Sequence, residues 1–163
     1  MKYSIIHKFV FFGLFVLISS CAGSQSLGGS KNSKASALFG QALQDYEIGD
    51  YQSALSKLDK AIKKDSRFVR AYDLKGKIYQ KQGKTDEAIT IYKKVLEMDP
   101  QNSYALYELA TMNFSLGNYG ECSNYLRGLS QVKPFDQPLF SDVQELKRNH
   151  AFASEAVKNP VPF

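Results

Sequence analysis

Ala54, Ala88 and Cys122 stand thirty-four positions apart, and Gly49, Gly83 and Gly117 each precede one of them by five. No other feature of the chain limits its fold as strongly. A repeat of this length is one helical hairpin, which cannot bury its apolar face alone, so successive copies must stack. The expected fold is all-α, and the period points towards a surface that holds a partner rather than towards a reaction centre.

The same register organises the surrounding positions. Ala42, Gly76 and Ala110 are small where the first helix of each pair approaches its neighbour, and Ala54, Ala88 and Cys122 are small on the second helix. Leu38, Tyr72 and Leu106, with Leu58, Tyr92 and Leu126, fill the remaining space at helical spacing, so the aromatic stripe reads as core. The glycines supply the left-handed backbone that ends a helix and opens a tight turn. Asp99-Pro100-Gln101-Asn102-Ser103 stops one hairpin and caps the next, and Pro134 repeats the stop.

Tyr72, Gly76, Tyr79, Gly83, Ala88, Tyr92, Val95 and Pro100 follow the pattern W-L-G-Y-A-F-A-P, and on them the chain resembles the tetratricopeptide repeat family from about Ala35 to Asp136. One period earlier stand Leu38, Ala42, Gly49, Ala54, Leu58, Ala61 and Ser66. One period later come Leu106, Leu109, Ala110, Gly117, Cys122, Leu126, Leu129 and Pro134. Lys75 departs from the usual Leu, Asp45 and Asn113 from the Tyr, and Ser66 from the first Pro. The resemblance implies three hairpins (37–68, 69–102, 103–136) in a short right-handed superhelix. A segment over 137–158, with Leu139, Val143, Leu146 and His150 on one face, covers its end as a capping helix, which Phe152 and Val157 could extend. Asn159-Pro160-Val161-Pro162-Phe163 then forces an extended tail.

In this family the first helix of each pair lines a concave groove. Carried onto this sequence, the groove positions hold Phe39, Leu43 and Tyr46, then Arg70, Asp73, Lys77 and Lys81, then Tyr104, Tyr107, Thr111 and Phe114. An aromatic wall around a basic centre suits an apolar peptide segment carrying acidic residues. Tyr104, Tyr107 and Arg70 are the candidates for exposed contacts, whereas Tyr46 and Phe114 occupy a position that also serves packing. The family's carboxylate clamp is absent, because Phe39, Leu43 and Leu74 hold its lysine and asparagine positions.

The N-terminus carries a separate signal. Lys2 and Lys8 flank a basic start and Phe9 to Ile18 form a short apolar run, less than the roughly 20 residues that span a bilayer. Ile18-Ser19-Ser20-Cys21 resembles the bacterial lipobox, which implies removal of residues 1–20 as a signal peptide and acylation of Cys21. Such acyl chains hold a protein stably on a bilayer. Ala22 after the cysteine implies sorting to the outer membrane, facing the periplasm. Residues 22–36, rich in Ser, Gly, Asn and Lys, read as a flexible tether with a reach on the order of 20 Å.

No constellation for catalysis, metal or a cofactor emerges. His150 is the one histidine after the signal, and no second His or Cys stands at ligand spacing from it. Asp86 and Glu87 fit a helix start, where negative charge complements the macrodipole. Cys122 reads as a small packing residue rather than a reactive thiol. Without Lys2 and Lys8 the chain has 19 basic and 16 acidic residues, a net +3. Lys57, Lys60, Lys63, Lys64, Lys93 and Lys94 fall on second helices, either as a solvated face or as a weak attraction to anionic headgroups. The expectation is a non-catalytic, membrane-anchored adaptor with a protein or peptide partner, no nucleic acid, and a monomeric or weakly dimeric state. Similarity to tetratricopeptide lipoproteins implies help in assembling a type IV pilus or secretion system. A scaffold for peptidoglycan hydrolases or periplasmic proteases is the alternative.

Overall fold

The computed structural model describes residues 30–132 and 137–158. The signal, Cys21, most of the tether and the 159–163 tail lie outside them. Seven helices follow one another: α1 (Ser33–Glu47), α2 (Tyr51–Lys64), α3 (Val69–Lys81), α4 (Thr85–Met98), α5 (Ser103–Ser115), α6 (Tyr119–Gln131) and α7 (Gln137–Lys158). No strand occurs among the described residues. Helices α1 and α2, α3 and α4, and α5 and α6 pair as hairpins, the hairpins stack, and α7 closes the stack against α6 and α5.

The turn inside each hairpin is the same object three times. Gly49, Gly83 and Gly117 have φ of 82°, 71° and 75°. Each glycine N–H bonds the carbonyl three residues back, on Tyr46, Gln80 and Phe114. The following N–H of Asp50, Lys84 and Asn118 reaches Asp45, Tyr79 and Asn113 at 2.8, 2.9 and 2.9 Å. This is the Schellman closure, which satisfies the last carbonyls of the first helix and reverses the chain. Of the helices that follow these turns only α2 has a side-chain cap, Asp50 accepting from the Ser53 N–H; α5 starts on Asn102, which accepts from the Ala105 N–H. That Ser53 N–H also draws the exposed Asp50 carboxyl below its ordinary pKa.

The tether is shorter than its composition suggests. Asn32 caps α1 by accepting from the Lys34 and Ala35 N–H groups, and its amide donates to the Lys64 carbonyl. The Ser30 hydroxyl bonds Asp65. Serine and asparagine, read as tether residues, act here as a cap tied to the end of α2, and helix begins at Ser33.

Ala42, Ala54, Ala88, Ala110 and Cys122 are fully buried. Gly76 explains why its position must be small in the second copy. A Cβ there would lie 2.6 Å from Cζ of Tyr92, whereas in the other copies the corresponding Leu58 and Leu126 share core clusters with alanines at 42 and 110. On α7, Val143 and Leu146 are buried and Leu139 partly so. Phe152 is 80% exposed and does not extend that face, since two residues beyond His150 a side chain points about 200° round the helix. His150 packs edge-on to Tyr119, with Nε2 2.9 Å from the Tyr119 carbonyl and 3.0 Å from the Ser123 hydroxyl, joining α7 to α6.

Candidate binding groove

The first helices of the hairpins, together with α7, carry two depressions in tandem. One, of about 250 Å³ between α1 and α3, is lined by Phe39, Leu43, Arg70, Asp73, Leu74 and Lys77. The other, of about 290 Å³ between α5 and α7, is lined by Tyr107, Thr111, Phe114, Asp142, Glu145, Leu146 and Asn149. The structure thus brings Phe39, Leu43, Arg70, Asp73 and Lys77 to one end, and Tyr107, Thr111 and Phe114 to the other. Tyr46 and Lys81 line neither.

Between them Tyr104 does not stand free. Its ring packs edge-on to Tyr92 at 6.0 Å, and Lys77 Nζ sits 4.7 Å from its centroid. Burial, then the negative charge of Glu108, pushes the Tyr104 hydroxyl far above the ordinary tyrosine pKa. The Tyr92 hydroxyl donates to Gln80 Oε1, and the Gln80 amide donates to Glu108 at 2.6 Å. These four side chains bridge α3, α4 and α5. Tyr104, expected as an exposed contact, belongs to this bridge, because Tyr92 draws its ring inward.

Tyr46 packs on Tyr51 at 5.8 Å and Phe114 on Tyr119 at 5.8 Å, two register-equivalent pairs that clamp first helix to second. In the middle copy the same positions hold Gln80 and Thr85. Loss of the clamp there frees Gln80 for the bridge. The Thr111 hydroxyl donates to the Tyr107 carbonyl on its own helix.

The basic centre also differs from its expected role. Arg70 is seated over the Phe39 ring at 4.9 Å, and Lys77 over Tyr104. Phe39 itself packs on Phe68 at 5.2 Å. Neither cation bonds Asp73. Its carboxylate accepts no hydrogen bond from the described residues, and its Oδ1 is sealed from solvent. Burial raises the Asp73 pKa to about 6; Lys77 and Arg70 oppose the shift, and Asp99 and Glu108 add to it. Asp142 and Glu145 make the far end acidic, with the Asn149 amide beside them, and none of the three was among the expected groove residues. Continuing the thirty-four-residue register one step further would have found Glu145 and Asn149, since they follow Thr111 and Ser115 by one period.

On the second helices Lys60, Lys63, Lys64, Lys93 and Lys94 are exposed, whereas Lys57 pairs with Asp45 of the preceding helix. Cys122 is a buried free cysteine, and burial lifts its thiol pKa to about 11. No group of three or more His, Cys, Asp or Glu residues able to hold a metal occurs among the described residues, and no helix there is long and apolar enough to cross a membrane.

Tetratricopeptide repeats are recognised in the chain: one family model of that description matches residues 69–102 and another 91–122. The chain is 32% identical over 97 residues to a TPR repeat-containing protein of Methanocaldococcus jannaschii, covering 60% of this chain and 15% of that protein. It is 23% identical over 119 residues to DnaJ homolog subfamily C member 3 of Gallus gallus, covering 73% of this chain and 24% of that protein. It therefore spans a quarter or less of these relatives. Among solved structures, the first TPR of Spaghetti bound to an HSP90 peptide is similar in fold, with TM-score 0.62 and 14% identity over 72% of this chain and 96% of that one.

Proposed function

We propose that this chain of tetratricopeptide repeats is a non-catalytic adaptor that takes a segment of a partner protein along its concave face. The observation that carries the proposal is the tandem of depressions on α1/α3 and α5/α7, which opens the same face of the stack at both ends. A similar repeat stack bound to a peptide, as in the Spaghetti complex, supports the same use of the fold. Arg70 at one end and Tyr107 at the other are the contacts that a bound segment would share. An extended peptide gains from such a groove by burying alternate side chains while its ends stay solvated.

The site of action that best fits the sequence is the bacterial envelope. The run Phe9–Ile18 followed by Ile18-Ser19-Ser20-Cys21 supports cleavage, acylation of Cys21 and attachment to a membrane, with the outer membrane favoured by Ala22. In that setting the adaptor assists assembly of an envelope complex such as a type IV pilus or secretion system. Two measurements test the two halves separately. Cys21→Ser should move the protein from the membrane to the soluble fraction, and retention on washed membranes contradicts acylation. Affinity capture from crosslinked membranes should recover envelope subunits with the wild-type chain and lose them with Tyr107→Ala combined with Arg70→Glu. An unchanged partner set contradicts the groove.

A further inference from the structure

The α5/α7 depression carries charge of one sign only. Asp142 and Glu145 stand three residues apart on α7 and line it together with Leu146 and Asn149. The next residues along that helix, Lys147 and Arg148, do not line it. The ion pairs among the described residues join Lys57 to Asp45 and Lys75 to Asp59, so neither α7 carboxylate enters one. Asp142, Glu145 and Asn149 are all exposed, within reach of an incoming group.

The wall that α5 contributes is aromatic. Tyr107 and Phe114 line it about two turns apart, and the Phe114 ring is held by Tyr119 behind it. Burial pushes the Tyr107 hydroxyl above its ordinary pKa; Asp142, Glu108 and Glu145 add to the push, against a hydrogen bond with Thr111. Tyr107 therefore stands in a negative field. Aromatic faces beside carboxylates attract a cation and repel an anion. The α1/α3 depression is the reverse, since Arg70 and Lys77 line it against Asp73, whose Oδ1 is sealed from solvent. A basic side chain is disfavoured at that end of the stack and favoured at the other.

We propose that the α5/α7 depression seats a lysine or arginine side chain of the partner segment, its stem against Leu146 and Phe114 and its charged head beside Tyr107 and the Asp142 and Glu145 carboxylates. Long basic side chains suit such a site because their methylenes cover apolar surface while the head stays among polar groups. Two like charges three residues apart on one helix also repel each other, and the bound cation relieves that repulsion. The inference rests on the first-helix face being the binding face, and it adds a direction: the basic end of the segment lies on α7. The acidic residue expected of the ligand then belongs at α1/α3, beside Arg70 and Lys77.

The test uses the full-length protein in detergent micelles and two probes, the pentapeptide acetyl-Ala-Leu-Lys-Leu-Ala-amide and its analogue with norleucine at the centre. Binding is read from amide chemical shifts. The lysine peptide should bind about fivefold or more tightly than the norleucine peptide, with its largest shifts on α5 and α7, because an exposed ion pair and a cation over a ring each add modestly. That preference should shrink towards equality as salt is raised from about 0.05 M to about 0.5 M. Asp142→Asn combined with Glu145→Gln changes exposed groups only, and should keep the norleucine affinity while losing the lysine preference. Shifts on the first helices with no lysine preference, or a preference that survives the double substitution, overturn this inference and leave the groove standing. Concentration-dependent shifts at Tyr107 and Asn149 without peptide would give the depression to a second copy of the chain, and overturn it too. No binding, or shifts confined to the second helices, overturns both.

Discussion

Gly76→Ala is the substitution whose effect follows most directly from geometry. The added methyl would lie 2.6, 2.9 and 3.0 Å from three atoms of the Tyr92 ring, which cannot slide freely. Its hydroxyl is bonded to Gln80 and its edge rests against Tyr104. Overpacking of this kind costs about 1–3 kcal/mol, and replacing a helical glycine by alanine returns at most ~1 kcal/mol. The net loss should be about 1–2 kcal/mol, or a melting temperature lower by roughly 2–8 °C. Tyr92→Leu alone opens a cavity and strands Gln80, at about 2–4 kcal/mol. The double variant recreates the Ala42–Leu58 and Ala110–Leu126 pairing of the flanking copies, so the alanine methyl fills space that leucine leaves. Its cost should be about 1–3 kcal/mol less than the sum of the single variants, measured as a thermodynamic cycle by urea unfolding. Additivity within about 0.5 kcal/mol refutes the claim that glycine at 76 exists for the tyrosine at 92.

Three further outcomes follow from the same structure. Asp73→Asn should stabilise the free protein above pH 6, by up to about 3 kcal/mol from the pKa shift. The sign follows from a folded pKa above the unfolded 3.8: the penalty is absent below that value and grows as pH rises towards 6, so thermal melts of variant and wild type should converge near pH 4. Gly83→Ala forces a side chain into φ 71° and should cost about 1–2 kcal/mol, whereas Gly40→Ala, with open space beyond its Cβ, should gain up to ~1 kcal/mol by chemical denaturation. Cys122 should resist iodoacetamide until the protein unfolds, and Cys122→Ala should cost under about 1.5 kcal/mol because Ala54 and Ala88 fill the same position; rapid labelling of native protein contradicts its burial.

The backbone was legible in the sequence because it depends on a few residue properties that recur in step. Positive φ at Gly49, Gly83 and Gly117, and the small residues at the helix contacts, are set by local sterics that any copy must obey. The site was less legible because it lies where the copies differ. Arg70 and Lys77 read as a free basic centre until Phe39 and Tyr104 are seen beneath them, and no spacing rule pairs residues 31 or 27 positions apart. Gln80 reads as a surface amide, yet Tyr92 reaches it only because Gly76 lets the ring pass. The start of α1 was misplaced because Ser and Asn are as common in tethers as in helix caps.

On the proposed function the face formed by the first helices, and not the lysine-bearing second helices, receives the partner. A photoreactive residue placed singly at Lys77, Thr111, Lys60 or Lys94 of the full-length protein in native membranes tests it. Illumination should give discrete adducts from positions 77 and 111 and none from 60 and 94. Adducts from 60 and 94 alone would contradict this and make the second-helix lysines the docking surface.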